Sequence, residues 1–206
     1  MKTDILIVGS GCAGLYAALN LPSDKQITII TKDIVEHSDS FLAQGGMCML
    51  KSEDDYDSYF EDTMKAGHYE NNPKSVEVMI RSSVDIVNDL VKYGADFHRE
   101  PDGSLSYTKE GAHSHHRIIF HEDVTGKEIT STLLRNVEKL SNVTIYEHVT
   151  MVDILCKDNC CYGWEIVTVW WQGMRRIRFS RSWQTIPCLL VGELVVFTDI
   201  RLISDT

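Results

Sequence analysis

Two groups of residues could carry chemistry. In the first, Glu110, His113, His115, His116, Arg117, His121, Glu122 and Asp123 crowd into one short span. Carboxylates there could hold a cationic group, and imidazoles could move protons or bind a metal. A zinc site needs HExxH or a spaced Cys/His set, and neither is present, so no metal is expected. Read by itself, Glu110 could equally be a turn-capping glutamate. In the second group, Gly9, Gly11 and Gly14 of "DILIVGSGCAGLYAALNL" (residues 4–21) fit G-x-G-x-x-G. Gly9 permits a tight turn, Gly11 lets the backbone approach a diphosphate, and Gly14 lets a helix pack against a strand. The free N–H groups of that helix then face the negative charge.

These residues need elements to hold them. Ile5 to Val8 is an all-apolar run, as in a parallel strand covered on both faces. Leu15 to Leu21 reads as a helix ended by Pro22, and "QITIITKD" supplies a second strand at the βαβ distance. The usual acid at that strand's end is missing, because Thr31 and Lys32 occupy the place and Asp33 comes late. A lysine there suits NADP or a flavin site, and the turn leaves both open. In "SDSFLAQGGMCML" (38–50), Gly45 and Gly46 could lay N–H groups along a ring system or form a surface loop.

Two helices should follow, one near Asp55 to Lys65, the other opening at Pro73 and closing at Gly94. Val76, Ile80, Val84, Val87 and Val91 put an apolar stripe on the second. The acid run Glu53 to Asp57 reads as a solvated helix start. "PDG" (101–103) marks a turn between short strands in a small β portion near 97–108. A helix from Thr125 to Leu140 leads to the strand "NVTIYEHV", followed by "TMVDILC".

Composition bounds the partners. A formal charge of −10 argues against nucleic acid or an anionic membrane surface. No leader opens the chain and no apolar run reaches membrane-spanning length, so a cytoplasmic location is expected. Cys12, Cys48, Cys156, Cys160, Cys161 and Cys188 form no CxxC pair and read as thiols.

In order and spacing after "GSGCAGL", four stretches resemble the L-aspartate oxidase family: "SFLAQGG" (40–46), "DDYDSYFEDTMKAG" (54–67), "KEGAHSHHRI" (109–118) and "DVTGKEI" (123–129). That family belongs with the succinate dehydrogenase and fumarate reductase flavoproteins. The resemblance runs from about Lys2 to Gly163. It implies an α/β fold, a Rossmann-like FAD-binding domain with a parallel sheet and helices on both faces, here incomplete. Residues 1–163 would be the N-terminal part of that domain, with an inserted helical region over 53–94 and the capping domain absent.

The resemblance also assigns roles. Gly9, Ser10, Gly11, Cys12, Ala13 and Gly14 would hold the FAD diphosphate, and Lys32 the adenosine end, which removes the support for NADP. Asp39, Ser40, Phe41, Leu42, Ala43, Gln44, Gly45 and Gly46 match the loop passing along the flavin. Thr150 and Met151 sit where the family's backbone touches adenine. The succinate and fumarate enzymes carry a flavin-linking histidine in that loop. Here Asp39 takes the place and His37 lies two residues early, so non-covalent FAD is expected.

Glu110 matches the glutamate near the substrate's amino group, where a carboxylate favours an ammonium that succinate and fumarate lack. His113 and Ser114 would shape the flavin-side wall, and His115, His116 and His121 would serve hydrogen bonding or solvent. The implied reaction oxidises L-aspartate to iminoaspartate by hydride transfer to flavin, with oxygen or fumarate as acceptor. It opens de novo NAD biosynthesis, with a possible hand-over to quinolinate synthase. The remaining catalytic histidines and arginines come from later family segments absent here. A fumarate reductase-like flavoprotein and a non-catalytic FAD-binding remnant are the alternatives.

After Gly163 the composition changes, with all four tryptophans and the cluster Arg175, Arg176, Arg178 and Arg181. The family should here show a hairpin, then a strand entering a second glycine turn. Codons allowed for Trp183 onward, read from the third base of the Trp codon, can encode "ADYTVLACGGIGGFYRHSTNFRH". Residues 164–206 are therefore expected to be an out-of-frame tail on a truncated product, whose apolar runs would favour aggregation.

Overall fold

The computed structural model describes residues 3–157, 160–170, 173–180 and 188–190. In chain order the strands are β1 (Ile5–Val8), β2 (Ile27–Ile30), β3 (Met47–Cys48), β4 (Ile118–Ile119), β5 (Val143–Tyr146), β6 (Val149–Lys157), β7 (Cys160–Trp170), β8 (Gly173–Ser180) and β9 (Cys188–Leu190). The helices are α1 (Cys12–Asn20), α2 (Asp39–Leu42), α3 (Tyr56–Ala66), α4 (Pro73–Tyr93) and α5 (Thr125–Val137), with a 3-10 turn at Glu53–Asp55 before α3. The chain divides into two units, Met1–Asp39 with Arg135–Thr206, and Ser40–Leu134.

The first unit is built on a parallel sheet in the order β5-β2-β1-β9. Ile5 faces Ile27 and Ile27 faces Val143, so the three apolar runs are in register. Leu6, Ile7, Ile29 and Ile30 are buried, which is why β1 and β2 read as unbroken aliphatic runs. β5, at the sheet edge, instead alternates between half-buried and exposed positions. The single strand expected over "NVTIYEHV" is divided. Thr31 donates its N–H to Tyr146 O at 3.0 Å and accepts from Val149 N at 2.9 Å. The chain therefore turns around the end of β2 through His148, whose φ is 57°. β6, β7 and β8 continue as an antiparallel sheet. Leu6, Ile30, Val149 and Ile166 form a buried cluster joining the two sheets.

The second unit holds α3 and α4. Asn72 caps α4 by accepting from the N–H groups of Lys74 and Ser75, and Pro73 opens the first turn. Gly94 closes it with φ 100°, a left-handed C-cap. Val76, Ile80 and Val87 of the expected stripe are buried, and Val84 packs on the cluster Leu50, Tyr59, Met64, Val76 and Ile80. The small β portion is reduced to two isolated bridges, Arg99 to Leu105 and Thr108 to Ile118. α5 ends at Val137, three residues short of the expected Leu140.

Candidate functional site

Chain geometry at the first glycine turn follows from three small residues. Gly9 has φ 105°, a conformation that a side chain resists, and its N–H donates to Ile30 O at 2.8 Å. Gly11 is the N-cap of α1 and brings no side chain to the helix end. A Cβ on Gly14 would lie 2.5 Å from the Gly9 carbonyl oxygen and 3.2 Å from Ile7 Cγ2. Cys12 and Ala13 open the helix, so peptide N–H groups present a positive end uncovered by a side-chain cap. Buried Ser10 turns inward instead, its Oγ bonding Thr31 Oγ1 at 3.2 Å and Val35 O at 3.1 Å. Such a bare, helix-opening backbone fits a dinucleotide diphosphate.

Lys32 is exposed where β2 ends. Beside it the Val35 N–H donates to Glu147 Oε1 at 2.8 Å, and His37 Nδ1 lies 3.0 Å from Asp33 Oδ2. The His37 hydrogen bond, aided by the Ile34 N–H, lowers the Asp33 carboxyl below the usual range. Thr150 is exposed and Met151 half-buried at the start of β6, with Met151 against the inter-sheet cluster.

The stretch from Asp39 to Gly46 opens with a helical turn and continues as an exposed segment. Asp39, Ser40, Phe41 and Leu42 form the single turn α2, and Lys127 Nζ sits 5.8 Å from the Phe41 ring centroid. Gly126 donates its N–H to Ala43 O at 3.0 Å, and a Cβ on Gly126 would collide with the Ser40 and Ala43 carbonyls. Gln44 leads into the paired glycines. Gly46 also has no room for a Cβ, because Ile118 Cγ2 and Ile119 O lie against it. β3 then pairs with β4, Met47 to Ile119 and Cys48 to Ile118.

Glu110 stands beside this segment. Its Oε2 lies 3.9 Å from where a Cβ on Gly45 would be. The carboxylate is exposed, and its turn is shaped by Gly111 at φ 54° and a 3.3 Å bond from His113 N to Glu110 O.

Sequence alone places Arg117 in this span but gives no role to it, and it is the residue that organises the region. Arg117 is completely buried, and its Nε and Nη2 donate to the two oxygens of Asp55 at 3.1 and 2.7 Å. Nη1 reaches Asp62 Oδ2 at 2.6 Å, Nη2 reaches Ser58 Oγ at 2.8 Å, and the guanidinium stacks 4.9 Å above the Tyr59 ring. Asp55 is thus an ion-pair partner, which corrects the reading of the acid run as solvated. Burial opposes ionisation of Asp62, but bonds from Ser114 N, Ser114 Oγ and Arg117 outweigh it and hold the carboxyl at about 2. A detectable signal existed: Asp55, Ser58 and Asp62 recur at helical spacing, one face aimed at a cation.

Arg117 also orients His113. An arginine can only donate, so His113 Nδ1, 3.2 Å from Nη1, accepts, and the ring proton lies on Nε2. That proton points at Cys48 Sγ, 3.1 Å away, while burial pushes the Cys48 thiol upward. His115 is exposed, with Nδ1 3.0 Å from Ser58 Oγ. The His121 ring lies instead beside Asp96, with Nδ1 3.9 Å from Asp96 Oδ2, while its backbone N–H donates to Thr125 Oγ1 at 2.9 Å.

Among the described residues no group of His, Cys, Asp and Glu could hold a metal ion, and no helix is long and apolar enough to cross a membrane. Cys12 and Cys48 are thiols. The side chains of Cys156, Cys160, Cys161 and Cys188 lie outside the described residues, as does the expected second glycine turn.

A parallel βαβ sheet with an open glycine turn at its first helix defines a Rossmann-type nucleotide-binding protein. Comparison with known proteins narrows the class: residues 4–186 match the FAD binding domain family, and the chain belongs to it. FAD is the family's cofactor. The chain is 48% identical to the L-aspartate oxidase of Clostridium perfringens over 160 residues, covering 78% of this chain and 36% of that protein. It is 39% identical to the Clostridium acetobutylicum L-aspartate oxidase over 163 residues, 79% of this chain and 38% of that one. It therefore spans little more than a third of these relatives. The fold is that of E. coli quinol fumarate reductase FrdA, with a TM-score of 0.82 at 23% identity, covering 93% of this chain and 32% of that one.

Proposed function

We propose that this chain carries the flavin side of an L-aspartate oxidase, oxidising L-aspartate to iminoaspartate with oxygen or fumarate as acceptor. The carrying observation is the Glu110 carboxylate beside Gly45. The turn from Gly9 to Gly14 would hold the FAD diphosphate, Lys32 the adenosine end, Thr150 and Met151 the adenine, and Asp39 to Gly46 the ring system. Bound FAD supplies the acceptor for the two electrons leaving the substrate. Glu110 supplies the chain's own discrimination, because its negative charge favours an ammonium that succinate and fumarate do not have. The relatives named L-aspartate oxidase support this choice.

Glu110→Gln should weaken L-aspartate relative to succinate by about threefold, the cost of roughly one exposed charge contact. The test is the flavin absorbance of the purified protein, without oxygen, as each ligand is added. Bleaching by L-aspartate supports the reading, and bound flavin that L-aspartate leaves unbleached rejects it.

The cofactor would be dissociable. Asp39 has no imidazole to attack a flavin methyl, and His37 is engaged with Asp33. Acid precipitation should therefore leave the yellow colour in the supernatant, and a coloured pellet would contradict this. A cytoplasmic location and hand-over of iminoaspartate to quinolinate synthase complete the proposal.

A further inference from the structure

We infer that Arg117 is a positioning residue for Glu110, anchoring the 109–116 turn to α3 so that the carboxylate stays beside Gly45. The inference rests on the substrate reading above, and it draws on contacts inside the second unit alone. Thr108 and Ile118 close the base of the turn with paired backbone bonds of 2.8 and 3.1 Å. Above that base the turn is held chiefly by side chains. Ser114 gives both its N–H and its Oγ to Asp62 Oδ2 at 2.7 Å, and the same oxygen receives Arg117 Nη1. Arg117 also touches His113 and, at 3.3 Å, His115 Nδ1.

The backbone of Arg117 acts in the other direction. Its carbonyl accepts the Met49 N–H at 2.8 Å, fixing the strand that follows the paired glycines. One residue therefore registers both members of the Glu110–Gly45 pair. Glu110 itself makes no contact with Arg117 that would explain its place; the link runs through Asp62 and Ser114. A fully buried guanidinium shared by two carboxylates has a rigid geometry, since moving it would strand a charge.

The test uses the full chain with FAD and the variants Asp62→Asn and Arg117→Lys. Amide hydrogen exchange, read without any substrate, should rise about tenfold at His113 and Ser114 while α4 stays protected. Asp62→Asn should also lower the L-aspartate over succinate preference, by up to the about threefold expected of Glu110→Gln, with succinate affinity unchanged. Unchanged exchange at His113 and Ser114 in Asp62→Asn, the milder variant, overturns the anchor whatever the substrate. Exchange that rises with an intact preference assigns the network to folding alone and also overturns the inference. Glu110→Gln separates the two readings. If that variant keeps the preference, the substrate reading fails; if it loses it and Asp62→Asn does not, only the positioning role fails.

Discussion

A single methyl group at residue 14 tests the nucleotide turn. Its carbon would press on the Gly9 carbonyl, which is backbone and cannot swing away. Gly14→Ala should lower stability by about 1–3 kcal/mol and weaken FAD binding, seen as a fall in melting temperature and in flavin retained after gel filtration. Unchanged retention would mean that the helix can shift without cost. This residue was legible in the sequence because a glycine motif reports a local backbone need. The role of Arg117 was not, since its partners Asp55, Ser58 and Asp62 lie more than fifty residues earlier in the chain. Only folding converts one face of a helix and a distant cation into a pair. Glu110 was singled out by motif, but its proximity to Gly45 had no local signature.

Helices were the most readable elements, and their ends carry measurable energy. Asn72→Ala removes two N–H bonds at the start of α4 and should cost about 1 kcal/mol, measured by urea denaturation of the full chain. The α3–Arg117 contact predicts a pH dependence as well. The Asp62 carboxyl sits at about 2 in the folded chain against an ordinary value of 3.8. A depressed carboxyl gives its full stabilisation above the unfolded value and loses it as pH falls toward the folded one. Melting temperature should therefore hold steady above about pH 5 with respect to this group and drop between about 4 and 2. Asp62→Asn should flatten that drop, and an identical acid limb would dissociate Asp62 from it. Strands were less readable where backbone bonds from elsewhere intervene. The break between β5 and β6 is imposed by Thr31, which belongs to the opposite end of the sequence.

On the scale of the whole molecule, the parallel sheet was anticipated from two apolar runs and a glycine turn, whereas its outer neighbour was not. Cys188–Leu190 lies parallel to β1, with Leu6 facing Cys188. We propose that residues 164–206 are nonetheless read out of frame, since the shifted reading yields a strand and glycine turn at this position. Sequencing the coding DNA decides it, and an undisturbed frame shared by a full-length gene refutes it. The placement of β9 has a consequence for biosynthesis. β1 is made well before β9, so one of its flanks stays unpartnered until residues 188–190 have been translated. A bare parallel edge exposed for that long invites intermolecular pairing and chaperone capture. Slowing translation between β1 and β9 should therefore reduce the yield of soluble protein in proportion to the delay.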